Sequence, residues 1–334
     1  MMMLESTIKN CMLKETPSLS SLAQQLAIAA LYDVTVLLTG ETGTGKTYLA
    51  RLIHHFSSRK DQGFMVVPCG ALAANLIESE WFGHAKGAFT GADRAKEGKF
   101  KAAGEGTLLL DEIDTLSLEH QAGLLRVLER GEFEPVGSNE TCQCRARIIA
   151  ASNGDLEQAV QENKFRQDLY YRLNVLTFHL PALRDRLEDI GPLVRGMVLR
   201  FSLKFNKNLT TINRQVMNTL ETFPWPGNIR QLENVIQQAV LVSTGPELTW
   251  EHLPRVVQEY APWKALPGRV QRVSALCENR EAREKMIIHR AMVSNDYCRF
   301  LAAKSLGISR VTLYKKMKKY GLSAMPRRTR QKIS

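Results

Sequence analysis

Apolar residues follow two rhythms along this chain. Four short runs are apolar or β-branched almost throughout: Val34-Thr35-Val36-Leu37-Leu38-Thr39, Phe64-Met65-Val66-Val67, Gly106-Thr107-Leu108-Leu109-Leu110 leading into Asp111-Glu112, and Arg147-Ile148-Ile149-Ala150-Ala151 leading into Ser152-Asn153. Runs of this length without polar alternation predict strands buried on both faces, as in a parallel sheet. Between them apolar positions recur at helical spacing, for example Leu49, Leu52, Ile53 and Phe56. Strands separated by helices predict an α/β fold with a parallel sheet, whose ligands gather at the carboxyl ends of the strands. The polar residues that close the third and fourth runs would meet there.

Ahead of the first strand lies one amphipathic stretch, Leu19, Leu22, Leu26, Ala29 and Ala30, and residues 1–18 read as an N-terminal tail. The α/β subdomain is expected over residues 19–186. From Leu187 to about Leu253 the pattern becomes wholly helical, broken by Phe223-Pro224-Trp225-Pro226-Gly227-Asn228, which predicts a small helical lid over 187–255. Ala261-Pro262-Trp263-Lys264-Ala265-Leu266-Pro267-Gly268 marks a linker within 256–280. Helical spacing from Glu284 to Val293 and from Tyr297 to Leu306, a tight turn at Gly307-Ile308 and a third helix from Ser309 to Tyr320 give helix-turn-helix spacing, a small all-α domain over 281–322. Ala302 and Ala303 permit close helix contact, Gly307 the turn, and Ser309 an N-terminal cap. Residues 323–334 read as a basic tail.

The chemistry lies between the first strand and the helix after it. Gly40-Glu41-Thr42-Gly43-Thr44-Gly45-Lys46-Thr47 satisfies the phosphate-binding spacing G-x-x-x-x-G-K-[ST]. Its glycines let successive backbone N–H groups converge on phosphate oxygens, and the helix N-terminus adds partial positive charge. Lys46 would reach the β/γ-phosphates and Thr47 a Mg²⁺ ion. Asp111-Glu112 supply what a phosphate loop lacks: an aspartate at a strand end can hold Mg²⁺, and the adjacent carboxylate can polarise an attacking water. Together the two motifs predict ATP hydrolysis.

Composition changes this picture at one end only. The 334 residues are 44% apolar, as in an ordinary globular protein. The formal charge of +11 is unevenly placed, because Lys285 to Ser334 hold 13 Lys/Arg against a single acid, Asp296. A strongly basic segment with a folded pattern predicts nucleic-acid binding. Ser309, Arg310, Thr312, Lys315 and Lys316, on the third helix, are the candidate DNA contacts, while Arg327, Arg328, Arg330 and Lys332 suit phosphate contact without sequence preference. No run of eighteen apolar residues occurs and Met1 to Lys14 lacks a signal-peptide core, so a cytoplasmic protein without a membrane segment is expected. The six cysteines are scattered without metal-ligand spacing and read as reduced thiols.

Gly83 to Ala92 is a glycine-punctuated loop that carries Phe89, and an exposed phenylalanine in a loop suggests a contact surface. Within it Gly87-Ala88-Phe89-Thr90-Gly91-Ala92 matches the GAFTGA signature. On this motif and the phosphate loop, the chain resembles the bacterial enhancer-binding proteins, AAA+ activators of sigma-54 RNA polymerase, over roughly residues 20–255. The resemblance implies an AAA+ P-loop sheet with a helical lid, and a loop whose Phe89 and Thr90 touch sigma-54 and transmit the force of ATP hydrolysis. Ser152-Asn153 looks like sensor I, which reports on the γ-phosphate. Phe165-Arg166-Gln167-Asp168-Leu169-Tyr170-Tyr171-Arg172-Leu173 resembles the segment that offers arginine fingers to a neighbouring subunit, by position Arg166 and Arg172. Trp225-Pro226-Gly227-Asn228-Ile229-Arg230 resembles sensor II, with Arg230 reaching the nucleotide and Trp225 and Pro226 packing. The C-terminal module resembles the Fis-type domain of the same activators.

The same resemblance implies ATP at subunit interfaces of a hexamer, with sigma-54 RNA polymerase and double-stranded enhancer-like DNA as partners. No receiver domain fits ahead of residue 19, so control by a separate regulatory protein is expected, an arrangement similar to the phage-shock and type III secretion regulators. One position departs from the family. Pro68-Cys69 stands where Asn-Cys is usual, the Asn restraining the glutamate, and proline offers neither a side-chain amide nor an N–H, so either another donor holds Glu112 or, the favoured expectation, Glu112 is less restrained. Two other readings stay open on sequence alone: an AAA+ remodelling ATPase with a different client, and a repressor whose ATPase is degenerate. A chain ending near Leu253 is expected to keep ATPase activity and to lose salt-dependent DNA binding in a titration across ionic strength. Unchanged binding would place DNA recognition elsewhere.

Overall fold

The sheet forms where the chain is apolar on both sides. The computed structural model of the protein describes residues 1–70, 74–260, 313, 316 and 317. Strands β1 (Val36–Thr39), β2 (Phe64–Pro68), β3 (Thr107–Asp111), β4 (Arg147–Ser152) and β5 (Leu176–His179) pair in parallel in the order β2-β3-β4-β1-β5. Leu37, Leu108, Leu110, Ile148 and Ala150 face one layer, with Trp81, Phe100, Phe133, Leu124 and Leu169. Val36, Leu38, Leu109, Ile149 and Ala151 face the other, with Leu26, Leu49 and Ile53. Two-sided burial explains why β1, β3 and β4 read as continuous apolar runs. β5 was not expected. It lies at the sheet edge, where Leu176-Thr177-Phe178-His179 buries only Phe178 fully, too little for such a run.

The N-terminal segment corrects the sequence reading. Residues 1–18 contain helix α1 (Met2–Glu15), whose Ile8 and Met12 are fully buried in the second layer, against α2 (Ala23–Leu31) and α3 (Lys46–His55). The signal was the i, i+4 pair Ile8 and Met12, diluted by the charges Glu5, Lys9 and Lys14. Ser18 then donates from its backbone N–H and its hydroxyl to Asp189 at 2.9 and 2.5 Å, tying this segment to the start of the lid.

The lid core includes Leu183 and Val257, so it extends beyond 187–255 at both ends. Its helices Ile190–Lys204, Arg214–Thr222 and Asn228–Val242 pack around Trp225, which is fully buried and donates its indole N–H to Leu220 O at 2.7 Å. The short helix Arg255–Glu259 seats Val257 in the same core, so the lid ends within the segment expected as linker. The chain divides into two units, Met1–Tyr260 and Ala261–Ser334. In the second, Leu313 and Met317 are helical and buried and Lys316 is half-buried, the i, i+4 pattern expected of the third helix. Ser309, Arg310, Thr312, Lys315 and the rest of the linker, helix-turn-helix and basic-tail expectations lie outside the described residues. Among the described residues no helix is long and apolar enough to cross a membrane.

Candidate nucleotide-binding site

The loop Gly40–Gly45 closes β1 and opens α3 at Lys46, as the pattern required. Gly43 has φ +80°, and a Cβ there would lie 2.6 Å from Gly227 O, so this position tolerates only glycine while the lid touches the loop. Thr44 is buried and its hydroxyl donates to Glu41 O at 2.8 Å, holding the loop in its turn.

A cavity of about 220 Å³ is lined by Thr42, Gly43, Gly45, Lys46, Thr47, Asp111, Glu112, Asn153 and Arg230. Residues from the phosphate loop, the ends of β3 and β4 and the lid therefore converge on one space. An adjoining cavity of about 420 Å³ shares Gly45, Tyr48, Ile229 and Glu233 with it and runs between Met12, Leu19, Leu180 and Met197. One compartment is polar and the other largely apolar, which suits the phosphate and base ends of a nucleotide.

The Lys46 ammonium donates to Gly40 O at 2.7 Å, Glu41 O at 3.0 Å and Asn153 Oδ1 at 2.6 Å. Burial lowers its pKa, opposed by Asp111, Asp114 and Glu112 nearby. Burial raises the Asp111 carboxyl, opposed by Lys46. Each charge is thus held by the other in a partly dry site. Glu112 sits at φ +62°, left-handed for a residue with a side chain, and accepts from Asn153 Nδ2 at 3.3 Å. Pro68 is exposed and pairs in register with Asp111. Of the two expectations for Glu112, the preferred weaker restraint gives way to the other, because Asn153, just past the end of β4, supplies the donor that position 68 lacks.

Sequence reasoning missed the ties between loop and lid. Arg184 grips the Glu41 carboxylate with both Nη atoms, at 3.0 and 2.5 Å. Asn228 is fully buried, donates from Nδ2 to Glu41 Oε2 at 3.1 Å and Thr42 O at 3.0 Å, and accepts from Leu183 N at 2.7 Å. Arg186, also buried, donates to Thr44 O at 2.5 Å. In sequence Asn228 stands only as a member of the segment that resembles sensor II, and Arg184 and Arg186 carry no signal beyond their charge.

Other expected residues lie outside this cavity. Arg166 forms a bidentate pair with Asp168 at 3.0 and 2.7 Å, and Arg172 donates twice to Leu128 O at 3.1 and 3.0 Å; neither lines the cavity. Gly87, Ala88, Phe89, Thr90, Gly91 and Ala92 form the tip between two short antiparallel strands, Gly83–His84 and Lys96–Glu97. The tip is pinched by Gly87 N donating to Ala92 O at 2.8 Å, and Phe89, 39% exposed, packs edge-on against His84 at 4.9 Å.

A phosphate loop at the end of β1, two carboxylates at the end of β3, one strand removed across β4, and a helical lid define an AAA+ ATPase. Residues 12–179 match the sigma-54 interaction domain, 184–266 the AAA+ ATPase lid domain, and 279–320 the bacterial regulatory protein, Fis family. The chain is 42% identical over 314 residues to the regulatory protein AtoC of Escherichia coli K12, covering 93% of this chain and 68% of that protein. It is similar to crystal structures of NtrX from Brucella abortus in complex with ATP and with ADP, each at 30% identity and covering 91% of this chain and 68% of that one, with TM-scores of 0.64 and 0.70. The chain belongs to the sigma-54-dependent transcriptional activators, with a helix-turn-helix domain of the Fis family at its C-terminal end.

The Glu41 bridge carries a pH dependence. Hydrogen bonds from Arg184 and then Asn228 hold the Glu41 carboxyl at about 2, against an ordinary 4.5. Its contribution is complete above about pH 4.5 and is lost as the pH falls toward 2. The stability difference between the parent protein and Glu41→Gln, from denaturant unfolding at each pH, is expected to be largest above pH 4.5, to vanish near pH 2 and to shrink in high salt. A difference independent of pH would remove this bridge as its source.

Proposed function

We propose that the chain binds enhancer-like DNA and, as an oligomeric ring, couples ATP hydrolysis to remodelling of the closed sigma-54 RNA polymerase promoter complex. The observation that carries this reading is the single cavity shared by Lys46, Thr47, Asp111, Glu112, Asn153 and Arg230. In it the backbone from Gly40 to Gly45 and the Lys46 ammonium hold the phosphates, while Glu112 polarises water for attack on the γ-phosphate and Asn153 and Arg230 report the nucleotide state. The Thr47 hydroxyl and Asp111 carboxylate are hard oxygen donors, a set that fits Mg²⁺, which takes few protein ligands and keeps phosphate and water oxygens for the rest. Bound there, Mg²⁺ neutralises phosphate charge.

Arg166 and Arg172 act in this reading from the neighbouring protomer, each giving a charge that is never lost. Their position outside the chain's own cavity supports that assignment, and a hexamer is the assembly the family resemblance implies. Control by a separate regulatory protein belongs to the same reading and rests on the resemblance alone. The Gly87–Ala92 tip, with Phe89 and Thr90 exposed, serves as the sigma-54 contact.

Lys46→Ala is expected to abolish ATP binding, whereas Glu112→Gln should bind ATP and leave it unhydrolysed, as read by calorimetry and phosphate release. Normal turnover by either variant would remove that residue from the mechanism. Thr90→Ala touches none of the cavity residues, so its ATPase rate should stay near the parent's while open complexes on a sigma-54 promoter fall to background. Normal promoter opening by this variant would overturn the contact role of the tip.

A further inference from the structure

Three groups in the cavity are joined by one amide. Asn153 accepts the Lys46 ammonium on Oδ1 at 2.6 Å and donates from Nδ2 to Glu112 Oε1 at 3.3 Å. The cation and the carboxylate fix which way the amide points, since only the oxygen can face the ammonium and only the nitrogen the carboxylate. The backbone beneath it is fixed separately: Asn153 N donates to Asp114 Oδ1 at 3.0 Å, and Ser152 Oγ donates to the same oxygen at 3.1 Å. The side chain is therefore the movable part.

Glu112 is confined on its other side. A Cβ at Gly70 would lie 2.7 Å from Glu112 Oε2, so the carboxylate lies against bare backbone at the end of β2. Pro68, the residue at that strand end, has no polar side-chain atom to offer it. Lys46 meanwhile is folded back onto its own loop by Gly40 O and Glu41 O, with Asn153 as its one side-chain acceptor among the bonds it makes. A polyphosphate competes with all three acceptors for the ammonium, and phosphate oxygens win because they carry charge.

We propose that Asn153 is a positioning residue that stows Glu112 in the nucleotide-free protein through an amide bridge held by Lys46, and that a bound polyphosphate releases Glu112 by drawing Lys46 away. This rests on the assignment of Glu112 as the group that polarises water. The sequence of events is one of hydrogen bonds only. Lys46 exchanges Asn153 Oδ1 for phosphate oxygen, the amide loses the partner that orients it, and the Glu112 carboxylate is freed from Nδ2 to accept from water. Restraint of the base is thus coupled to phosphate occupancy by the residue that follows β4, while the segment after β2 contributes only the bare backbone that makes room.

The test is ADP affinity of the full chain, by calorimetry, because ADP recruits Lys46 but lacks the γ-phosphate that Asn153 would otherwise contact. Asn153→Ala removes a competitor for Lys46 and should bind ADP about tenfold tighter, whereas Asn153→Asp grips Lys46 with a charge and should bind about tenfold more weakly. Opposite signs are the signature of the bridge, since a merely structural residue would weaken binding in both variants. If Asn153→Ala fails to fold, Asn153→Ser, which is too short to span both groups, takes its place. In a Glu112→Gln background the gain from residue 153 should shrink to about threefold or less, because the bridge has lost its anionic end. Effects of one sign at position 153, or strict additivity with Glu112→Gln, would overturn the proposal. ATP turnover by Glu112→Gln alone would instead overturn the role of Glu112 and leave the ADP series intact.

Discussion

The side chain of Asn228 is where the loop and the lid become one structure. It is fully buried, and its amide is satisfied only when Leu183, Glu41 and Thr42 are all in place. A buried amide left unpaired costs about 1–3 kcal/mol, so the lid has one low-energy seat on the loop. Ile229 N donating to Gly43 O at 2.9 Å adds a backbone tie at the same point. The seat also brings Arg230, two residues on, to the cavity wall. A change in loop conformation is thereby a change in lid position, the coupling that a nucleotide-driven machine requires.

Electrostatics in the cavity have the same economy. Lys46 is 6% exposed and Asp111 is half-buried; each favours the charged form of the other, and Glu112 supports the charge on Lys46 while opposing that on Asp111. Removing one partner would leave a desolvated charge, which costs far more than the pair contributes. A polyphosphate replaces internal acceptors of Lys46 with stronger ones, so binding rearranges bonds that already exist. The energy available for rearrangement lies in the difference between those two sets.

The Gly87–Ala92 tip is built for a different task. It projects from a short antiparallel pair, is closed by its own backbone, and holds Phe89 against His84, whose ring is fixed by Ser79 Oγ at 2.7 Å and Arg94 O at 3.1 Å. Ala88 also packs on a second loop, since a Cβ at Gly137 would lie 2.6 Å from Ala88 Cβ. The tip is thus a supported surface, and none of its residues lines the nucleotide cavity, which makes output separable from hydrolysis.

What could be read from sequence was whatever depends on local geometry. The phosphate loop needs glycines at fixed spacing, strands buried on both faces need continuous apolar runs, and the tip carries a contiguous motif, so Gly40–Thr47, β1 to β4 and Gly87–Ala92 were legible one residue after another. The edge strand β5 and helix α1 were not, because each buries only two or fewer residues fully among polar ones and depends on neighbours far along the chain. Only the tertiary structure decided which groups meet. Asn153 lies 107 residues from Lys46 and 41 from Glu112, and Asn228 lies 187 from Glu41. A hydrogen bond reaches about 3 Å whatever the separation along the chain, so no spacing rule announces such pairs. The replacement of the amide missing at Pro68 by one just past the end of β4 was settled by the order of strands in the sheet.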